Sequence, residues 1–249
     1  MLIWMSLLAT AHGDWRLVSQ TKPIPLGRGA WEVTKRLENS SDSAELKLVF
    51  FDSSRCTFRV LDQNSSGNRS IGEAMRKSGA LAGCNGGYFS PDFRPVGLQI
   101  SNGNRTGRLE RSSPLLTGSV VVKKGRSYLL WRDEFQNVDG ISDAIQAGPR
   151  IVIDNSRVKG LENAKSRPRT FVVTDNRGHL GIGTCRSVTL AELSEILASS
   201  RIIREMKVDR ALNLDGGGSS GFWWRDDRNT EHYDRERVTV RNFLAVMTR

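Results

Sequence analysis

The sequence predicts an α+β domain built on a largely antiparallel or mixed β-sheet with a few short helices. Predicted strands outnumber predicted helices, and many strands follow one another directly, which argues against a repeated strand–helix–strand series. The 249 residues contain no linker-like segment that would divide them. A single domain over residues 14–249 is therefore expected.

The first thirteen residues predict a short or truncated signal segment. Residues 2–9 are apolar, and the small residues Ala11 and Gly13 are spaced like a signal-peptidase site, although no Lys or Arg precedes the apolar run. The run is too short to span a bilayer, and no other stretch is long and apolar enough to do so. Export to the periplasm or the extracellular space is expected, with a buried N-terminal strand as the alternative.

Strands are predicted from runs of apolar and β-branched residues. After short extended pieces over 14–33, the run 46–51 is the first strand, and alternating burial of Phe58 and Val60 indicates another over 56–61. Residues 115–122 and 127–131 predict a hairpin that turns at 123–125. Further strands are predicted at 81–85, 151–153, 171–174, 179–183, 210–214 and 238–246.

Two capping boxes predict two helices. Ser70 and Glu73 have the spacing at which each side chain satisfies the other residue's backbone N–H, and the helix they begin is expected to stop at Gly79. Thr189 and Glu192 have the same spacing and begin a second helix that ends near residue 199. A third, brief helix is expected over 141–146.

The charge balance favours anionic partners. The chain carries 37 basic and 27 acidic residues, for a net charge of +10 and a pI near 10.0. Phosphorylated sugars, acidic glycans, nucleic acid or a membrane surface would suit such a charge. Nucleic-acid binding is not expected, because the arginines are dispersed and no nucleic-acid-binding module is present.

The three cysteines allow at most one internal disulfide. Cys56, Cys84 and Cys185 show no C-x-x-C spacing, so they give no metal signature, and a Cys84–Cys185 bridge is one candidate pairing.

Two glycine-rich segments hold the candidate chemistry. Strand 210–214 ends in Asp215, followed by three glycines and two serines, and such a run of backbone N–H groups can hold an anion. Asp215 would serve there as a base, a metal ligand or an orienting acceptor. Strand 81–85 ends similarly, in Asn85 and two glycines. A flexible turn and a tight hairpin turn are the respective alternatives.

These segments, in this order, resemble the phosphodiester glycosidase family. The resemblance covers the chain from about residue 81 to its C-terminus. The matching motifs are Asn85-Gly86-Gly87-Tyr88-Phe89, Ala144 to Arg150, Arg169-Thr170, Thr189 to Leu193, Leu212 to Ser220 and Asn242.

The resemblance implies hydrolysis of a sugar-1-phosphodiester to a free sugar and a phosphomonoester, on envelope or exopolysaccharide glycans. It assigns catalysis to Asp215, Arg169 and Asn85. The substrate-binding residues that it implies are Gly86, Gly87, Thr170, Gly216, Gly217, Ser219, Ser220 and Asn242. The family often has an arginine four residues before the final asparagine; here Val238 stands there, with Arg237 beside it, so no second arginine is assigned.

Each assigned group has a chemical rationale. Arg169 would hold the phosphate, since a guanidinium presents paired donors to two oxygens. Asp215 would act as the base on water or as the nucleophile, with phosphate as a good leaving group. Asn85 and Asn242 suit hydrogen bonds to sugar hydroxyls or to phosphate. A second carboxylate is not identified; the candidates are Asp92, Glu110 and Asp175.

No cofactor is required by this chemistry, although a divalent cation held by Asp215 remains open. His12, His179 and His232 fall outside the matching motifs, which disfavours a histidine phosphoenzyme or a His-rich metal site. The expected partner is a sugar phosphodiester or an anionic glycan, and the oligomeric state is open. The alternative function is a non-catalytic protein that binds anionic exopolysaccharide through the same cleft.

Overall fold

The computed structural model describes residues 14–63 and 68–249. The signal segment predicted over residues 1–13 lies outside the described residues. Within them there are two α-helices, α1 (Ile71–Ser78) and α2 (Leu190–Ala198). The nineteen strands of the described residues are β1 (Arg16–Gln20), β2 (Ile24–Pro25), β3 (Ala30–Glu38), β4 (Ser43–Asp52), β5 (Cys56–Asp62), β6 (Ala82–Asn85), β7 (Gln99–Ser101), β8 (Asn104–Arg105), β9 (Gly118–Lys123), β10 (Arg126–Trp131), β11 (Ile141–Ala147), β12 (Arg150–Ile153), β13 (Ser156–Arg157), β14 (Arg167–Thr174), β15 (His179–Val188), β16 (Arg210–Asn213), β17 (Phe222–Arg225), β18 (Glu231–Asp234) and β19 (Asn242–Thr248).

The strands form three sheets. The large sheet has nine strands in the order β1-β3-β4-β15-β14-β16-β12-β13, with β2 also paired to β3. The β11 sheet has the order β10-β9-β11-β7-β8, and the β6 sheet has the order β18-β17-β6-β19-β5. Every strand pairing in the described residues is antiparallel. The predicted α+β class is confirmed.

The large sheet is covered on both faces. On one face Val172 and Leu212 pack with Val120 of the β11 sheet and Leu244 of the β6 sheet. On the other face, Phe171 and its neighbours pack against the apolar stripe of α2. Burial on both faces removes simple alternation from the central strands. The face toward the two smaller sheets is called the inner face below.

Both capped helices are confirmed. Ser70 and Glu73 satisfy each other's backbone N–H at the start of α1, and Thr189 and Glu192 do so at the start of α2. Gly79 ends α1 in the left-handed conformation, with φ of 70°. Neither helix of the described part of the chain has the length and apolar content needed to cross a membrane.

The helix predicted over 141–146 is wrong. Those residues form β11, which pairs with β9 on one side and β7 on the other. Six of its seven residues are buried, so the strand lacks the alternating pattern by which a strand is recognised. The last strand begins at Asn242 rather than at Val238.

The candidate Cys84–Cys185 disulfide is also wrong. All three cysteines are free and buried. Cys84 lies in the core on the inner face of the large sheet, whereas Cys185 points into the core beneath α2. The large sheet separates the two thiols.

Candidate functional site

The candidate site lies where strands of two sheets end together. Asn85 ends β6 and Asn242 begins β19, in the β6 sheet, while Thr170 lies on β14 and Asp215 follows β16, in the large sheet. The backbone N–H of Asp215 donates to the Gly86 carbonyl across 3.1 Å. The two glycine-rich segments predicted from the sequence are thus in direct contact.

Asn85 is the centre of a buried polar cluster. Its Nδ2 donates to the Asp215 carbonyl oxygen at 2.7 Å, and its Oδ1 accepts from the Thr170 hydroxyl at 2.8 Å and from the Gly221 N–H at 3.3 Å. The Thr170 Oγ1 is also 3.1 Å from the Ser220 Oγ. Asn85 is only 1% exposed. In this arrangement its side chain supports the Asp215 turn.

The Asp215 carboxylate is half-buried and forms no ion pair with the described residues. Burial raises the pKa of Asp215 above its ordinary value, while the Ser219 hydroxyl and the Gly216 N–H act in the opposite direction. The Gly216 N–H donates to Oδ1 at 2.8 Å. Such a carboxylate, with few partners and a raised pKa, suits base or nucleophile chemistry.

The turn after Asp215 presents backbone donors. Within the described part of the chain, the N–H groups of Gly217 and Gly218 have no hydrogen-bond partner. Both glycines are half-buried, whereas Ser219 is buried beside Asp215. Gly217 has a φ of 63°, which glycine adopts without strain. These two amides can hydrogen-bond an anionic oxygen next to the carboxylate.

Gly86 and Gly87 serve a different purpose. Their N–H groups already donate to Asn242, from Gly86 to its carbonyl at 2.9 Å and from Gly87 to its Oδ1 at 2.7 Å. A Cβ added at Gly86 would lie 2.0 Å from Asn242 Oδ1, so only glycine fits. The Asn242 Nδ2 donates to Gln99 Oε1 at 2.7 Å. Asn242 therefore holds the Asn85–Gly87 segment in place from within.

Arg169 and Thr170 leave opposite faces of β14. Thr170 points to the inner face, whereas Arg169 is 9% exposed on the other face, with Nε donating to the Val188 carbonyl at 3.2 Å. Its Nη2 donates to Glu162 Oε2 at 3.0 Å and to the Lys165 carbonyl at 2.6 Å. The Nη1 group makes no hydrogen bond with the described residues, so two N–H donors remain.

The Tyr88 hydroxyl lies within electrostatic range of both the Asp215 carboxylate and the Arg169 guanidinium. Burial raises the pKa of the Tyr88 hydroxyl, the Asp215 charge raises it further, and the Arg169 charge opposes this. A Cβ added at Gly216 would lie 3.9 Å from Arg169 Cδ, so the arginine stem runs beside the Asp215 turn. Carboxylate and guanidinium thus approach the same part of the molecule without pairing.

The loop before β19 packs on the Asp215 turn. The N–H groups of Arg237 and Val238 both donate to the Gly218 carbonyl, at 2.8 and 3.2 Å. Both side chains are exposed. In the C-terminal segment, Arg237 is therefore an arginine whose backbone lies against the Asp215 turn.

The three candidate second carboxylates are engaged in local turns. Asp92 accepts from Ser90, Glu110 accepts from Ser112, and Asp175 accepts from Arg177 and His179. Asp175 also follows the end of β14 opposite to Thr170, five residues or about 17 Å away. None of these contacts connects them to Asp215.

Residues 14–63 and 68–249 contain no preformed cluster of metal ligands. No group of three or more His, Cys, Asp or Glu side chains is arranged there to hold a metal ion. The expectation that no cofactor is required, with a divalent cation at Asp215 as the alternative, stays a prediction.

The sequence model described as phosphodiester glycosidase matches residues 78–247, which is more than half of the chain. The chain belongs to the phosphodiester glycosidase family. All eleven site residues predicted from the sequence lie within the matched range. No curated protein sequence matches the chain.

One of the solved structures with a similar fold is named as an enzyme for a sugar-1-phosphodiester. The zebrafish N-acetylglucosamine-1-phosphodiester alpha-N-acetylglucosaminidase catalytic domain, auto-inhibited by its pro-peptide, is 15% identical with a TM-score of 0.65, covering 96% of this chain and 89% of that one. A hypothetical protein from Synechocystis is 14% identical with a TM-score of 0.60, covering 89% of this chain and 62% of that one. At these identities the similarity shows the fold alone.

Several residues of the candidate site were not predicted from the sequence. The Tyr88 hydroxyl donates to the Gly148 carbonyl at 2.6 Å and accepts from Asn213 Nδ2 at 3.0 Å. Gln99 holds Asn242, as described above. Tyr88 and Asn213 lie within the motifs that resemble the family, so those motifs could have identified both as site residues. Gln99 lies outside the motifs, and no sequence pattern identifies it.

Proposed function

We propose that this member of the phosphodiester glycosidase family hydrolyses a sugar-1-phosphodiester to free sugar and a phosphomonoester. The observation that carries the proposal is the Asp215 carboxylate: it is unpaired among the described residues, its pKa is raised by burial, and it lies next to two backbone amides without partners. A purely structural turn would not need a half-buried carboxylate beside donors left without partners.

Asp215 is proposed to act at the anomeric carbon. It would either remove a proton from the water that attacks that carbon, or attack the carbon itself to form a glycosyl ester that water then hydrolyses. In both routes the phosphomonoester would depart as an already good leaving group. A strong general acid is then less necessary than in ordinary glycoside hydrolysis. The absence of contacts from Asp92, Glu110 and Asp175 to the turn agrees with a mechanism that uses one carboxylate.

The phosphate is proposed to lie between the glycine turn and Arg169. The Gly217 and Gly218 amides would bind one phosphate oxygen, and the two N–H donors at Arg169 Nη1 would bind another. Arg237, exposed beside Gly218, would add attraction at longer range.

Asn85, Thr170 and Asn242 are proposed to act indirectly. Their polar atoms bond to the Asp215 and Gly87 backbones and to one another, so they hold the catalytic turn in place rather than contacting substrate. Positioning of this kind is worth much in catalysis because small displacements of a reactive group are costly.

The biological substrate is proposed to be an envelope or exopolysaccharide glycan, reached after export to the periplasm or the extracellular space. The net charge of +10 supports an anionic substrate. The segment that would direct export is residues 1–13.

The proposal is tested by incubating the purified protein with N-acetylglucosamine-1-phosphodiesters, the class of compound that the zebrafish relative is named for. Release of free sugar is measured with and without EDTA, which also tests the cation. Hydrolysis in ¹⁸O-water is expected to label the sugar rather than the phosphate, since the C–O bond breaks.

The competing function predicts a different result. A non-catalytic protein that binds anionic exopolysaccharide would show salt-sensitive glycan binding, no turnover of any diester, and unchanged binding in Asp215→Asn. Turnover that disappears in Asp215→Asn would exclude it.

A further inference from the structure

A cavity lies on the inner face of the large sheet, away from Asp215. Its volume is about 290 Å³, it is partly open to solvent, and it is lined by β2, β3 and β4 of the large sheet and by the β17–β18 hairpin. The side chains used in the argument below are Glu32, Thr34, Lys47, Trp224, His232 and Asp234, all of which line it.

The floor of this cavity contains a buried carboxylate that is only half satisfied. Glu32 is 1% exposed, and its Oε1 accepts from the Thr34 hydroxyl at 2.6 Å. Its other carboxylate oxygen makes no hydrogen bond with the described residues. Burial raises the pKa of Glu32, with Thr34 and Lys47 opposing that shift. This oxygen is not among the fully buried polar atoms that lack a partner in the described residues, so it is reached from the cavity and can accept a hydrogen bond from a ligand.

The remaining charges of the cavity are already balanced. Lys47 Nζ lies 2.7 Å from Asp234 and 3.4 Å from Glu45, and Asp234 also pairs with Arg186 at 3.2 Å. Within the described residues no cationic side chain forms an ion pair with Glu32. An anionic ligand is disfavoured because Glu32, Glu45 and Asp234 outnumber Lys47 among the lining residues.

One wall of the cavity is aromatic. Trp224 and His232 are stacked with ring centroids 3.6 Å apart, and Phe222 lies beside them. A ligand that fits must offer hydroxyl donors to Glu32 and Thr34 on one side and an apolar C–H surface to the rings on the other. An uncharged sugar ring has both, and the cavity volume has room for one.

We propose that this cavity is a second carbohydrate-binding site that takes one uncharged sugar unit, with Glu32 and Thr34 as its hydrogen-bonding groups. The inference does not require the proposed hydrolysis. Lys47 is paired across strands with Thr184, which is paired with Thr170, and residues paired in this way point to the same face of a sheet. The cavity and the buried polar cluster around Asn85 therefore lie on the same face of the large sheet. Two strand spacings, about 10 Å, separate Lys47 from Thr170.

The test uses saturation-transfer NMR and tryptophan fluorescence with glucose, mannose, galactose and N-acetylglucosamine. It is done in the Asp215→Asn protein, so that turnover and the primary site do not contribute to differences between variants. At least one of these sugars is expected to bind, and Glu32→Gln and Thr34→Val are each expected to weaken its binding at least 5-fold. Glu38→Gln is the matched control, because Glu38 lies on the same strand and pairs with exposed Arg36.

His232→Ala provides a second variant on a half-buried residue, in case Glu32→Gln fails to fold, and should also weaken binding. The inference is overturned if none of the four sugars binds, or if binding is equal in the cavity variants and Glu38→Gln. It is also overturned if protonated glucosamine or glucose-1-phosphate binds more tightly than glucose and that advantage is lost in Glu32→Gln and Thr34→Val, since the cavity would then select charge. Diester turnover is measured separately, so failure of the proposed hydrolysis would leave this result intact.

Discussion

The Asn85 side chain and the Asp215 backbone are joined by a hydrogen bond of 2.7 Å between residues of two different sheets. The Asp215 N–H returns a bond to Gly86, one residue after Asn85. This reciprocal pair of bonds fixes the turn that carries the candidate catalytic carboxylate. The position of the carboxylate therefore depends on a residue 130 positions away in the chain.

Asn85→Ala is expected to lower kcat far more than it raises KM. The change leaves the Asp215 carbonyl and the Gly221 N–H without their partner and leaves the Thr170 hydroxyl with Ser220 alone, at a cost of about 1–3 kcal/mol in unfolding free energy. Steady-state kinetics and thermal unfolding measure the two effects. Asn39→Ala is the control, since Asn39 caps only an exposed turn. A normal kcat in Asn85→Ala would show that the bond does not position Asp215.

Asp215→Asn is expected to reduce kcat by about 10²–10⁴-fold, the usual range for a proton-transfer group. In the wild type, kcat/KM should fall on acidification at a pH above the ordinary aspartate pKa of 3.8, because burial raises the pKa of Asp215. A pH–rate profile measures this limb. An acidic limb at or below pH 3.8 would remove Asp215 from the role.

The same variant should be at least as stable as the wild type at pH 7. Because the folded-state pKa of Asp215 is raised, this group favours the folded state only while protonated. Its contribution is complete below pH 3.8 and is lost as the pH rises through the folded-state pKa. Urea unfolding at pH 7 and pH 4 should show the advantage of Asp215→Asn shrinking at the lower pH. A clear loss of stability at pH 7 would contradict the assigned pKa shift.

Gly86→Ala is expected to destabilise the protein by at least about 2 kcal/mol, because the new methyl group would overlap Asn242 Oδ1. Gly218→Ala is the matched control in the other glycine segment: its Cβ would meet Val238 at an ordinary 3.4 Å. Denaturant unfolding compares the two. Equal stability of both variants would show that Asn242 moves aside easily.

Local chemistry made part of the fold predictable. Both helices were predicted because each begins with a capping box, which lies within four consecutive residues. The strand β11 was missed because it is buried on both faces and therefore lacks the alternation of apolar and polar residues that marks a strand. The site divides similarly. The motifs located the segments that form the site. They did not show that the N–H groups of Gly86 and Gly87 are already bonded to Asn242 and so are not free to bind a ligand, because that contact joins residues far apart in the chain.

The opposite orientations of Arg169 and Thr170 could have been predicted. They are adjacent on a predicted strand edge, and neighbouring strand residues point to opposite faces. What could not be predicted is that Arg169 pairs with Glu162, since that contact depends on the path of the loop between β13 and β14.

All three cysteines are expected to remain reduced thiols in the folded protein. Burial raises the pKa of Cys84 and Cys185 and raises that of Cys56 to about 11, so little thiolate forms at neutral pH. Thiol titration should detect three groups after unfolding and almost none before, and the melting temperature should not depend on dithiothreitol. Fewer than three thiols in the unfolded, unreduced chain would reveal a disulfide.

Glu162 is expected to compete with the substrate phosphate for Arg169. Its Oε2 occupies one side of the guanidinium at 3.0 Å, and the carboxylate is partly exposed. Glu162→Gln should therefore lower KM for an anionic diester by up to about 5-fold, the equivalent of an exposed ion pair of about 1 kcal/mol. Arg169→Ala should raise KM, and Arg169→Lys should recover only part of the loss, because an ammonium cannot present a fork of donors.

Glu195→Gln serves as the control, since Glu195 pairs with an arginine outside the candidate site, the more exposed Arg157, at 3.4 Å. Its KM should match the wild type, and the difference between the two glutamine variants should shrink in high salt because exposed charges are screened. An unchanged or higher KM in Glu162→Gln would mean that Glu162 supports the arginine instead of competing for it. In that case Nη2 of Arg169 would stay bonded to Glu162 and the Lys165 carbonyl. The phosphate would then contact the guanidinium only through Nη1.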